Sequence, residues 1–206
     1  MTRIKICGIT NKKDAIEAAR LGVDMVGFVF YRDSKRFVEP RMAAEIAGEL
    51  PPFMAKVGVF VDEDREKVLE TAQTAALDIL QFHGRETPEY CASFRPDLKV
   101  IKAFRINGKE DLKDINSYDV DYYLLDTFDK DCIGGTGKAF DRKVLDGFEF
   151  LRPVILSGGL TPESVEAAVR EFAPYGVDVS TGVEKRPGQK DAALMVRFVD
   201  NVRKAE

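Results

Sequence analysis

PVILSGGLTPESVEAAVREFAPYGVDVSTGVE, residues 153–184, carries in one stretch the signals that decide the architecture. An apolar run ends at Gly158-Gly159, Thr161-Pro162-Glu163 opens a helical pattern, and a second run, from Val177, ends in Ser180-Thr181-Gly182. Near-continuous hydrophobic runs, as opposed to alternating ones, suit parallel strands covered on both faces. A Thr followed by Pro suits a helix start, because the hydroxyl caps an orphan N–H and Pro lacks one. The stretch therefore reads strand, glycine turn, helix, strand, glycine turn.

Outward from it, the same unit recurs along the chain. Further strand-like runs are RIKIC (3–7), VDMVGFVF (23–30), AKVGVFV (55–61), LDILQFH (77–83), LKVIKAF (98–104) and DYYLLD (121–126), beside PVILSG (153–158) and VDVSTG (177–182). Helical patterns fill the intervals: Asn11 to Leu21 with Thr10 as its cap, Pro40 to Leu50, and Asp62 to Ala72 with acids leading and bases following. Thr87, Gly108, Asp141, Thr161 and Gly188 precede or open the others. Eight units in 206 residues is about 26 residues each, close to the minimum for a closed barrel. A doubly wound open sheet shares the alternation. Eight regular units without a large insertion favour a closed (β/α)8 barrel, one domain over residues 1–206.

Composition narrows the function. A net charge of -4 offers no electrostatic footprint for nucleic acid or an acidic membrane. No signal peptide and no apolar run near membrane-spanning length occurs. The three cysteines, Cys7, Cys91 and Cys132, form no CxxC or Cys/His cluster, which argues against disulfides or zinc and for a reducing cytoplasm. No metal is expected.

In a barrel, chemistry collects where strands run into the following loops. Those positions hold Cys7, the Ser34-Lys35-Arg36 run, His83, Asp126, Ser157-Gly158-Gly159 and Asp178-Ser180-Gly182. The two glycine turns follow the last two strands, the usual barrel site for a phosphate held by backbone N–H groups. Glycines could instead serve only to turn the chain. Asp126 ends an apolar strand, so its carboxylate faces the mouth as an acid, a cap or an ion-pair partner. Arg36 could clamp a carboxylate through its planar fork, although taken alone a solvated surface charge is the simpler reading. His83 reads more simply as a satisfied rim histidine, and Cys7 as a small buried hydrophobe. Gly134-Gly135-Thr136-Gly137-Lys138 lacks P-loop spacing and reads as a flexible cover beside Asp126.

KICGIT, VGFVF, SKRF, VGVFV, QFHG, LLDT, GGTGKAFD, LSGGL and DVSTGVE, taken together, resemble the phosphoribosylanthranilate isomerase family of tryptophan biosynthesis, in that family's order from residue 5 to about residue 184. The resemblance implies a (β/α)8 TIM barrel that performs an Amadori rearrangement on a phosphorylated small molecule without a cofactor, as a monomer or homodimer. It implies Cys7 as general base, Asp126 as general acid and Arg36 on the anthranilate carboxylate. It implies Gly158, Gly159, Ser180 and Gly182 around the phosphate, with His83 and Asp178 in matching motifs near the substrate. Thr181 stands where the family more often has Ser, and Arg142 where Trp is common, and neither removes a proposed catalytic group.

Three other readings compete with this expectation. The related isomerase of histidine biosynthesis would be expected to carry an acid at Cys7 and a second phosphate turn midway along the chain, where FVDED and FHGRE stand instead. Indole-glycerol-phosphate synthase would be expected to add an N-terminal segment and a lysine-based site. A non-catalytic phosphosugar-binding barrel shares the fold and the phosphate turns, but decay would be expected to have lost the acid, the base or the clamp.

Overall fold

Eight parallel strands close on themselves in chain order, each hydrogen-bonded to the next and the last to the first. The computed structural model describes residues 1–126, 144–145 and 147–206. The strands are β1 (Arg3–Cys7), β2 (Met25–Val29), β3 (Ala55–Phe60), β4 (Ile79–Phe82), β5 (Lys99–Arg105), β6 (Tyr122–Asp126), β7 (Val154–Ser157) and β8 (Gly176–Val179). Helices α1 (Lys12–Arg20), α2 (Pro40–Ala47), α3 (Arg65–Thr74), α4 (Pro88–Ala92), α5 (Pro162–Phe172) and α6 (Ala192–Lys204) lie between and after them. The expected closed (β/α)8 barrel is therefore the fold, and the open sheet is excluded by the β1–β8 pairing.

Because side chains alternate across a strand, each strand serves two cores. Ile4, Ile6, Val26, Phe28, Leu80 and Phe82 face the helices as part of one large apolar cluster. A smaller cluster of Met25, Val57, Ile79, Ile101, Ala103, Leu124 and Ile155 fills the barrel interior. One step further along the same inward rows stand Gly27, Val59, Gln81, Asp126 and Ser157. The apolar plug thus gives way to polar groups toward the C-terminal ends of the strands, and the period of two sets which residues reach the mouth.

Several element boundaries differ from the sequence reading, each for a local reason. Asn11, not Thr10, caps α1, its side chain accepting from the Asp14 N–H. Thr10 is engaged elsewhere, its hydroxyl donating to the Gly188 carbonyl. Helix α3 begins at Arg65, because Asp62 adopts a positive φ and accepts the Arg85 N–H at 2.5 Å. The segment after Gly108 forms short 3-10 turns at Lys109–Leu112 and Ile115–Ser117 instead of a helix. Gly188 opens no helix. It sits at φ 77 in the turn of a small hairpin, β9 (Glu184–Arg186) with β10 (Gln189–Lys190), and Asp191 then caps α6. The expected helix start at Asp141, the Gly134 to Lys138 cover, Cys132 and Arg142 lie outside the described residues.

Candidate active site

Strand β1 delivers Lys5 and Cys7 to the barrel interior, two residues apart on one face. Lys5 is completely buried, and its Nζ lies 2.9 Å from Asp178 Oδ1 on the neighbouring strand β8, where the two residues are register partners. The Ser157 hydroxyl donates to Asp178 Oδ2 at 3.2 Å. Gly27 on β2 makes this arrangement possible: a methyl group there would stand 2.7 Å from Cys7 Sγ and 3.1 Å from Lys5 Nζ. Burial pushes the Cys7 thiol up from its ordinary value, the Lys5 and Lys190 charges pull against it, and Asp178 adds to the rise. Burial also opposes the Lys5 ammonium, but Asp178 and Cys7 outweigh it and hold Lys5 above its usual range.

Beside Cys7, Gly8 turns the chain at φ 76, and a side chain there would run into Arg36 and the Ser180 hydroxyl. Arg36, in the loop after β2, is not a solvated surface charge. Its Nε and Nη2 donate to Glu184 Oε1 and Oε2 at 2.8 and 2.6 Å, a bidentate fork with only 21% of the side chain exposed. Glu184 also accepts from Lys190 Nζ at 2.9 Å, and Lys190 donates further to the Ser180 carbonyl at 3.1 Å. Burial pushes the Glu184 carboxyl up, yet the hydrogen bonds from Arg36 and Lys190 bring it below the usual carboxylate range. Burial lowers Lys190 in spite of Glu184, with Arg36 contributing in the same direction.

The two glycine turns are spatial neighbours. Gly158 and Gly159 take φ values of 88 and 64, which L side chains rarely adopt, and lead into Thr161, the N-cap of α5. A methyl group on Gly182 would collide with the Leu160 carbonyl, so the turn after β8 packs directly on the turn after β7. On Gly159 it would meet nothing within 4 Å. Strand β8 ends at Val179, three residues before the end of the run VDVSTG (177–182). Ser180 caps a 3-10 turn over Thr181–Val183. Consecutive glycines beside a helix N-terminus give N–H groups and a dipole that favour an anion.

Around the barrel, His83 and Asp126 form a second group. His83 Nε2 lies 3.2 Å from Asp126 Oδ2, and His83 Nδ1 lies 3.2 Å from Gln81 Nε2. If the Gln81 amide donates to Nδ1, the Nε2–H is left to donate to the carboxylate, a tautomer assigned from the network. Asp126 pairs in register with Ser157 on β7, and Ser157 contacts Asp178 on β8. Cys7, Arg36, Asp178 and Ser180 therefore form one continuous set, joined through β7 to Asp126 and His83. Sequence reasoning passed over Lys5, Gln81, Glu184 and Lys190. Lys5 and Gln81 were detectable as polar residues two positions before Cys7 and His83 on the same inward rows. Among the described residues no cluster of His, Cys, Asp and Glu is placed to hold a metal, and no helix is long and apolar enough to cross a membrane.

A family described as N-(5'phosphoribosyl)anthranilate (PRA) isomerase matches residues 4–201. The chain belongs to the PRA isomerase family. The N-(5'-phosphoribosyl)anthranilate isomerase of Geobacter sp. (strain M21) is 46% identical over 204 residues, 99% of each chain. The crystal structure of phosphoribosyl anthranilate isomerase from Thermotoga maritima superposes with a TM-score of 0.91 at 43% identity, covering 99% of this chain and 100% of that one. A further PRA isomerase structure, in complex with reduced 1-(o-carboxyphenylamino)-1-deoxyribulose 5-phosphate, gives a TM-score of 0.88 at 40% identity over 99% and 100%. As a PRA isomerase family member the chain is an isomerase of tryptophan biosynthesis.

Proposed function

We propose that residues 1–206 act as one catalytic unit that converts N-(5-phosphoribosyl)anthranilate to 1-(2-carboxyphenylamino)-1-deoxyribulose 5-phosphate, with Cys7 as base and Asp126 as acid. The observation that carries this reading is the convergence at one barrel mouth of a thiol beside a buried ammonium, a carboxyl group held by His83, a guanidinium and a double-glycine turn. The relative solved with a reduced form of that product supports the choice of substrate.

The glycine turns and the α5 N-terminus hold the phosphate end of the substrate through oriented N–H dipoles. Arg36 keeps donors beyond the Nε and Nη2 protons committed to Glu184, and these face the anthranilate carboxylate. Asp126 gives its proton to the ribose ring oxygen as the nitrogen lone pair opens the ring to an iminium. The Cys7 thiolate then takes the C2′ proton and becomes a thiol, and the C–H electron pair moves toward the iminium nitrogen to give the enolamine. Tautomerisation yields the ketone, so no electrons leave the substrate. His83 holds the Asp126 carboxyl in place from Nε2, and Asp178 stands where a ribose hydroxyl would approach. An acid and a base of this kind each contribute about 10²–10⁴ in rate.

Turnover of chemically prepared substrate, followed as loss of its anthranilate fluorescence, tests this reading. Rapid loss with native protein is expected. Tight phosphosugar binding with no loss would reduce the chain to a binding protein.

A further inference from the structure

Lys5 is a completely buried charged side chain in the barrel interior, and the chemistry above does not use it. A lysine has three donors, and a lone ammonium in such a place would be strongly disfavoured. One donor goes to Asp178 Oδ1 at 2.9 Å. The ammonium and the Cys7 sulfur also lie against one common point, 3.1 and 2.7 Å from where a Gly27 Cβ would stand. We infer that Lys5 is a positioning residue that holds the charge of the Cys7 thiolate, and that Asp178, by sharing the same ammonium, sets how much of that charge is available. The inference rests on the reading of Cys7 as base and extends it to a mechanism of tuning.

The other charges near the sulfur are already committed. Lys190 is engaged by Glu184 and the Ser180 carbonyl, and Arg36 by both oxygens of Glu184. His83 stands just after β4 and its partner Asp126 at the end of β6, with β7 and β8 between β6 and β1. Lys5 and Asp178 form a neutral pair, so ionising Cys7 adds one net negative charge to a buried site. That charge is tolerated only to the extent that Lys5 turns from the carboxylate toward the sulfur. A substrate hydroxyl donating to Asp178 would satisfy the carboxylate and leave Lys5 to the thiolate, so the base is strengthened when the site is filled. The directions of the Cys7 shift agree, Lys5 pulling down and Asp178 pushing up.

The test is the titration of Cys7 in substrate-free protein, read as ultraviolet thiolate absorbance of each protein minus its Cys7→Ser counterpart. Lys5→Met should raise the apparent Cys7 pKa and Asp178→Asn should lower it, each by about one unit or more, since a charge at this range moves a pKa by that order. In turnover, Lys5→Met should lower kcat with KM little changed, the loss should shrink as pH is raised, and Lys5→Arg should recover part of it. Shifts absent, or in the same direction in both variants, would make the pair a structural ion pair and overturn the inference. If Lys5→Met does not fold, Asp178→Asn decides alone, a lowered value supporting the inference and an unchanged or raised one refuting it. The titration does not depend on Cys7 being the base, which is decided separately by the kcat of Cys7→Ser.

Discussion

Arg36 and Glu184 meet in a two-bond fork, Nε to Oε1 at 2.8 Å and Nη2 to Oε2 at 2.6 Å. The carboxylate fixes the plane of the guanidinium in the loop after β2, so the unused donors have a defined direction before any substrate arrives. Arg36→Lys removes the fork and Arg36→Met removes the charge as well. Hydrogen bonds to charged groups contribute about 1.5–3 kcal/mol, so kcat/KM should fall roughly ten- to over a hundredfold, more in Met than in Lys. Steady-state kinetics check this, and unchanged kinetics in Arg36→Met would separate the residue from substrate binding.

Glu184 should also mark the acid limit of stability. Its folded pKa lies below the ordinary value because Arg36 and Lys190 outweigh burial. A depressed carboxylate contributes stability that is present above its unfolded pKa, about 4.3, and lost as pH falls through the folded value. Glu184→Gln should therefore be less stable than the native chain at neutral pH, with the gap narrowing in acid. Urea unfolding at several pH values measures the gap, and one that is constant into strong acid would mean that folding leaves the Glu184 carboxyl unshifted.

At the glycine turn, Gly159→Asp places a carboxylate beside the N–H groups offered to the phosphate and forces a side chain onto φ 64. A Cβ at this position meets nothing within 4 Å, so the loss should appear in binding more than in packing. Inorganic phosphate should compete weakly with substrate in the native chain and not in the variant. Normal Michaelis behaviour in the variant would put the phosphate elsewhere.

The Cys7 thiol lies above its ordinary pKa, with burial the largest cause. kcat/KM should therefore rise with pH as the thiolate forms, at pH values above the ordinary thiol pKa of about 8.5. Cys7→Ser should collapse kcat with fold and product binding intact, and Asp126→Asn should do the same at the ring-opening step. A product analogue should protect Cys7 from alkylation, while Cys91, buried in α4 with its thiol pushed up to about 12 by burial, should react little with or without it. A near-native kcat in Cys7→Ser would remove the thiol from the mechanism.

The strand and helix alternation was legible in the sequence, and eight regular units favoured the barrel over the open sheet that the β1–β8 pairing excludes. Apolar runs of parallel-strand type and Thr-Pro helix starts are local properties, expressed in any tertiary context that buries them. Period two then placed Cys7, His83, Asp126 and Asp178 at the mouth, because each lies on an inward row. Where the reading failed, local signals competed with long-range contacts. Thr10 has the chemistry of a cap but binds the carbonyl of Gly188, 178 residues away. Gly188 looks like the approach to a helix but turns a hairpin whose Lys190 N–H is held by Asp14 at 2.8 Å.

The electrostatics of the site, by contrast, come from long-range contacts. Lys5 with Asp178, Arg36 with Glu184 and His83 with Asp126 are pairs separated by 173, 148 and 43 residues. Nothing in the sequence of either partner specifies the other. They become neighbours because closing the sheet sets β1 beside β8 and gathers the ends of all eight strands around one axis. Burial there excludes the water that would screen the charges, so a few ångströms of register decide which cation each carboxylate meets and how strongly the thiol holds its proton.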